Sequence, residues 1–146
     1  MERTALTDDV GFLLSRASGV VVRATNAALA PHGLRVRSFS VLVLAADSPG
    51  GISQRNLAGV LGLDPSQVVL LVDELATAGL VERRSSEVDR RTKLVAATER
   101  GRAVRDAAAR AADAGVAEQL AGLSAAERDQ LRALLSRVAP AGAVRV

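Results

Sequence analysis

Cysteine is absent, and aromatic side chains nearly so: the 146 residues hold Phe12 and Phe39 but no tryptophan or tyrosine. Without thiols there is no disulfide, no thiolate metal site and no cysteine-based redox sensing. His32 is the single histidine, and neither a cysteine nor a carboxylate cluster stands at a spacing that would make it half of a base–nucleophile pair. No apolar run approaches the roughly 18 residues of a spanning helix; "VLVLAA" is among the longest. The opening "MERTALTDDV" is acidic and polar, without the basic stretch and apolar core of a secretory leader. The glycines of "PGG" and "GVLGLD" do not have the spacing of a phosphate-cradling loop. These absences lead to the expectation of a cytoplasmic protein that is not an enzyme, needs no cofactor or metal, and has no membrane partner.

What is present is aliphatic and evenly charged. Forty-nine percent of the residues are apolar, so a core must be built from alanine, leucine and valine, which favours close-packed helices over a sheet sandwich. The length suits one domain able to bury a real core. Net charge is only +3. Residues 49–97 hold six basic and six acidic side chains, and residues 98–146 hold eight and six. Any affinity for a polyanion must therefore come from where the cations sit.

Val10, Leu13, Leu14, Ala17, Val20, Val21, Ala24, Ala27 and Ala28 follow the spacing of one helix face. Pro31 and Gly33 in "LAPHGL" close that helix. A second, almost wholly apolar helix is expected from about Arg37 to Ala46, before "DSPGG" breaks the chain. Ser53 then caps a short helix that ends at Gly62; Asp64 and Pro65 start another, with Val68, Leu71, Val72 and Leu75 on one face. Two helices joined by a tight glycine-containing turn form a helix-turn-helix. Two strands follow, about Leu80–Arg84 and Lys93–Ala97, joined by the tip "SSEVDR". Thr98 caps a long alanine-rich helix, and Ser124-Ala-Ala-Glu127 is a capping box for the last one. The closing "PAGAVRV" reads as a frayed end.

This order resembles the MarR family, the multiple-antibiotic-resistance type of winged-helix transcriptional regulator, from about Val10 to Val138. "LAPHGLRVRSFSVLVLA" is similar to that family's link between first and second helices, and "ISQRNLAGVLGLDPSQVVLLVDELATAGLVERR" to its helix-turn-helix and first wing strand. "DRRTKLVAATERGRAV" is similar to its most specific signature: Asp89, Arg91, Thr98 and Gly101 fill the expected places, while Ala97 stands where leucine is usual. The resemblance implies a mainly α fold with a small β-hairpin wing: a winged helix-turn-helix over about 36–97, flanked by helical dimerisation regions over about 5–32 and 98–140. It further implies a homodimer that binds double-stranded DNA, and for many members a small aromatic or anionic effector that weakens this binding.

Five cations, Arg83, Arg84, Arg90, Arg91 and Lys93, gather on the hairpin. A tip carrying Arg90 and Arg91 can reach into a minor groove, where narrow A·T tracts concentrate negative potential. The resemblance makes Arg91 the inserted residue, with Asp89 holding a guanidinium in place. Arg83 and Arg84 are candidate phosphate partners. Ser66 and Gln67 open the recognition helix and can bond bases or phosphates. Val69 and Leu70 stand where the family commonly has a hydroxyl residue followed by arginine; they either contact thymine methyls or pack against neighbouring elements. Ser53, Gln54 and Arg55 begin the preceding helix, a natural phosphate contact. His32, Arg35 and Phe39 are candidate effector contacts. Leu6, Val10, Val104, Leu131, Leu134, Leu135 and Val138 are candidate dimerisation residues, with core packing inside one subunit the alternative. The functional expectation is a sequence-specific regulator, a repressor, on an inverted-repeat operator. The competing reading is a winged helix that binds protein and not DNA.

Overall fold

The structure, a computed structural model, describes residues 5–142; residues 143–146 of "PAGAVRV" and the first four of the opening segment lie outside the described residues. Six α-helices and a small sheet follow one another: α1 (Val10–Leu29), a single 3-10 turn (Ala30–His32), α2 (Val36–Asp47), β1 (Ile52–Ser53), α3 (Gln54–Leu61), α4 (Pro65–Thr77), β2 (Val81–Ser85), β3 (Lys93–Ala97), α5 (Glu99–Gln119) and α6 (Ala125–Val138). The sheet has three antiparallel strands in the order β1-β3-β2. β1 adds a strand to the two expected. Its two residues pair Ile52 with Val95 and Ser53 with Leu94, and a segment that short carries no alternation to read in advance.

Local chemistry sets the helix starts. The Asp9 carboxylate accepts from the Phe12 N–H (2.7 Å), the Ser53 hydroxyl from Asn56 (3.1 Å) and the Thr98 hydroxyl from Gly101 (3.0 Å). Each bond satisfies a donor that the first helical turn leaves unpaired. Pro65 takes the first helical position of α4, where its missing N–H costs nothing. Ser124 and Glu127 complete a reciprocal capping box on α6. Gly62 adopts φ +64, a left-handed conformation that ends α3 and lets the chain turn tightly into α4.

The core runs from Leu29 and Leu34 through Val41, Leu42, Ile52 and Leu57 to Val68, Val72, Leu75, Val81 and Val95. Leu42, Leu57 and Leu75 are essentially inaccessible, and each contributes roughly 1.5–3 kcal/mol by leaving water. Alanine-rich α5 packs along α1: Ala108 and Ala112 are buried, and a side chain on Gly115 would meet the Ala24 carbonyl and the Ala28 methyl. These small residues let two helices approach within one subunit. Val104 also packs against that core. In contrast, α6 has no buried residue.

The wing is pinned where β2 and α5 begin. Thr98 uses its hydroxyl twice, accepting from Gly101 and donating to the Gly79 carbonyl (2.7 Å). Its own N–H donates to the Leu80 carbonyl at 3.0 Å. A methyl group on Gly101 would lie 1.9 Å from that same carbonyl oxygen. The Thr-x-x-Gly spacing thus has a mechanical reason: one residue bonds across the junction, and the other is small enough to allow it.

Candidate nucleic-acid interface

The outward face of α4 begins at the helix N-terminus, where the backbone carries a partial positive charge. Ser66 and Gln67 are exposed there. Gln67 also accepts from the Asp64 N–H (3.3 Å), so it caps the helix as well as facing outward. One turn on, Leu70 is 69% exposed and Val69 38%, so the structure brings both to the surface and not into the core. Beside them, a hollow of about 620 Å³ between α3 and α4 is lined by Gln54, Arg55, Gly59, Leu63, Pro65 and Val69. Arg55 is exposed on the first turn of α3. Ser53 acts as the α3 cap, its hydroxyl occupied by the Asn56 N–H.

The wing tip, residues 86–92, is held by its own side chains. The Ser86 hydroxyl accepts from the backbones of Val88 and Asp89 (both 3.3 Å). The Asp89 carboxylate accepts from the Arg91 N–H (3.0 Å) and, more weakly, from the Thr92 hydroxyl (3.4 Å). Asp89 therefore fixes the turn's backbone instead of a guanidinium, a correction to its expected role. The physical reason is reach: a short carboxylate two residues back meets the main chain first, as in an Asx-turn. Arg90 and Arg91 are left exposed, with no ion pair among the described residues.

The other wing cations have protein partners. Arg84 pairs with Glu82, and Lys93 donates to the Ser85 hydroxyl (2.9 Å). Arg83 bonds Gln54 of α3 through Nε and Nη2 (3.2 and 3.1 Å) and Asp73 of α4 through Nη2 (2.6 Å). The even count of charges in this region hides an uneven arrangement. Asp73 and Glu82 are matched by neighbouring arginines and Asp89 is turned toward backbone donors, while Arg55, Arg90 and Arg91 are exposed cations without an ion pair among the described residues.

A second feature lies on the side toward α1. A cleft of about 600 Å³ is lined by Val22 and Asn26 of α1, by Arg35, Arg37 and Ser38 around the start of α2, and by Leu71 and Glu74 of α4. The Asn26 side chain accepts from the Val36 N–H (2.9 Å), tying α2 to α1 at its rim. Of the three expected effector contacts, only Arg35 lines this cleft. His32 sits half-buried in the 3-10 turn, and Phe39 packs against the core. Arg37 and Leu71 were not anticipated, since nothing in a linear pattern reports that two distant helices face each other. Farther along the chain, Arg105 of α5 binds Asp47 at the end of α2 and its own neighbour Asp106. Hydrogen bonding to Asp47 first, then to Asp106, pushes the pKa of its guanidinium up.

Of the candidate dimerisation residues, Leu6, Val10, Leu134, Leu135 and Val138 are exposed, Leu131 is half-buried, and Val104 belongs to the subunit's own packing. Among the described residues, no helix is long and apolar enough to cross a membrane, and no group of potential metal ligands occurs.

The profile of the MarR family matches residues 34–93. An HTH-type transcriptional repressor of Mycobacterium tuberculosis, Rv2887, is 34% identical over 138 residues, covering 91% of this chain and 96% of the relative. Among solved structures, CouR from Rhodococcus jostii RHA1 bound to p-coumaroyl-CoA is 50% identical, with a TM-score of 0.89, and covers 98% of this chain and 100% of that one. The structure of Rv2887 in complex with DNA is 29% identical, with a TM-score of 0.74, and covers 90% and 98% of the two chains.

Proposed function

Because the chain belongs to the MarR family, we propose that it is a cytoplasmic transcriptional repressor, not an enzyme, which binds an inverted-repeat operator in double-stranded DNA as a homodimer. The observation that carries this reading is the wing tip. Asp89 and Ser86 hold the turn so that Arg90 and Arg91 stand out from it without an ion pair among the described residues, and a fork of donors on such a hairpin suits the minor groove. The N-terminus of α4, with Ser66, Gln67, Val69 and Leu70 outward, is suited to the major groove. The region over about 36–97 would then be the DNA-binding part, between helical dimerisation regions over about 5–32 and 98–140.

A homodimer is supported by the apolar residues that one subunit leaves in water. Leu134, Leu135 and Val138 of α6 and Leu6 and Val10 at the start of the chain are exposed, and no residue of α6 is fully buried within its own subunit. A helix with an apolar stripe and no partner is stabilised only when that stripe is covered. The effector reading rests on the cleft between α1, α2 and α4. Arg35 and Arg37 supply positive charge, and Val22 and Leu71 an apolar wall. The 50%-identical relative was solved with p-coumaroyl-CoA, so an aromatic acid or its coenzyme A thioester is the effector class to test. Because the cleft borders α4, occupancy there would shift the recognition helix relative to α1 and lower DNA affinity.

The test is selection of bound sequences from a random duplex pool at moderate salt. The expected result is an inverted repeat with half-sites about 10 bp apart from centre to centre. Recovery of nothing above background would overturn the DNA reading. It would favour the competing one, a protein-binding winged helix, for which the exposed Leu70 and Val69 are the supporting observation.

A further inference from the structure

Arg83 has the geometry of a clip. It lies on β2 opposite Val95, and successive strand residues point to opposite faces. It therefore shares the side of buried Val81, while Glu82 and Arg84 occupy the other side. From there its guanidinium reaches two different helices: Gln54, the first residue of α3, at 3.1 and 3.2 Å, and Asp73, in the third turn of α4, at 2.6 Å. Three elements that must present themselves to DNA together are joined by one planar group. A phosphate that drew the guanidinium off Gln54 and Asp73 would break the three hydrogen bonds made by Nε and Nη2, leaving Nη1 as the group's uncommitted nitrogen. It would also uncover the Asp73 carboxylate on the helix that approaches the polyanion.

We propose that Arg83 is a positioning residue, which sets the angle between the wing and the recognition helix through Gln54 and Asp73, and is not itself a phosphate ligand. The proposal rests on the DNA-binding reading above. It assigns Asp73 a positive contribution to DNA binding, although its charge has the wrong sign for a DNA-facing surface. Major-groove and minor-groove contacts are made at once only if helix and wing hold a fixed relation, so the clip should matter most on the operator and least on random DNA. The choice of arginine follows from its shape. A lysine carries the same charge at one point and cannot hold Gln54 and Asp73 together.

The two assignments predict opposite signs. Removing a carboxylate near DNA should tighten binding if Asp73 is merely a repulsive neighbour. Removing it should weaken binding if it is half of the clip. The experiment compares wild type, Asp73→Asn, Arg83→Gln and Arg83→Lys on the selected inverted repeat and on random duplex, over a series of salt concentrations, after thermal melting has confirmed that each variant folds. The first measurement is wild type on its operator, so that a failure of the DNA reading is seen before any variant is compared. Positioning predicts that all three substitutions weaken operator binding about two- to five-fold, the range for a partly exposed charged pair. It also predicts little change on random DNA and an unchanged salt slope. The proposal is overturned if Asp73→Asn binds the operator as tightly as wild type or more tightly. It is equally overturned if Arg83→Lys keeps full affinity while Arg83→Gln lowers the slope by about 0.9 per subunit, the signature of one lost phosphate contact.

Discussion

Substituting Gly101 by alanine tests the junction that carries the wing. The added methyl would sit 1.9 Å from the Leu80 carbonyl oxygen and 2.8 Å from its carbon. Both are backbone atoms, so no side-chain rotation can relieve the contact, and the strand start and the α5 start must separate by roughly 1 Å. Overpacking of this kind costs about 1–3 kcal/mol. The Leu80 carbonyl also accepts the Thr98 N–H at 3.0 Å, and loosening that bond costs about 1 kcal/mol more. Alanine's better helix propensity returns at most about 1 kcal/mol, so the net loss is about 2 kcal/mol. For a chain of this length that lowers the melting temperature by roughly 4–8 °C. The assay is thermal unfolding followed by circular dichroism, with wild type and variant at equal protein concentration because the Tm of a dimer would depend on concentration. Gly59→Ala is the internal control: a methyl there meets nothing within 4 Å, and in a helix interior it should stabilise by about 0.5–1 kcal/mol. A Gly101→Ala protein that melts at or above the wild-type temperature would refute the argument, because the steric account leaves no room for that outcome.

Three further outcomes are expected. Arg91→Ala should weaken operator binding and reduce the salt slope by about 0.9 per subunit, with the helical circular dichroism unchanged; unchanged affinity would mean that the wing does not insert. Leu70→Ala should alter preference at one base position more than overall affinity, as expected for a thymine-methyl contact; selection from a random pool reads this directly, and equal losses on all sequences would count against it. Leu135→Glu should shift the sedimentation coefficient from dimer to monomer and abolish operator binding, because a charge on an apolar interface must be desolvated; a dimer that persists would move the interface away from α6.

Much of the fold was legible because its signals are local. Ser53, Asp64 with Pro65, Thr98 and Ser124 each act within about three residues of themselves, and each marks a helix start in the structure. The outward position of Val69 and Leu70 followed from the inward spacing of Val68, Leu71, Val72 and Leu75. The candidate site was less legible. Arg83, Arg84, Arg90 and Arg91 look equivalent as letters, yet Arg83 and Arg84 are matched by carboxylates and the other two are not. Asp89 looked like an ion-pair residue, and proved to hold a turn. The cleft between α1, α2 and α4 shares only Arg35 with the expected effector trio, since its walls come from three helices.

Amino-acid order alone thus determined where helices start and stop, which faces are apolar, and that a hairpin rich in arginine follows a helix-turn-helix. These properties depend on hydrogen bonds and periodicities a few residues long, which travel with the chain in any context. Tertiary structure alone decided which charges are free. Arg83 finds Gln54 across 29 positions and Asp73 across 10, and no local rule reaches that far. It also decided that the small residues of α5 serve α1 within the subunit while Leu134 and Leu135 of α6 stay exposed. Whether an apolar stripe is core or surface depends on what another element places against it.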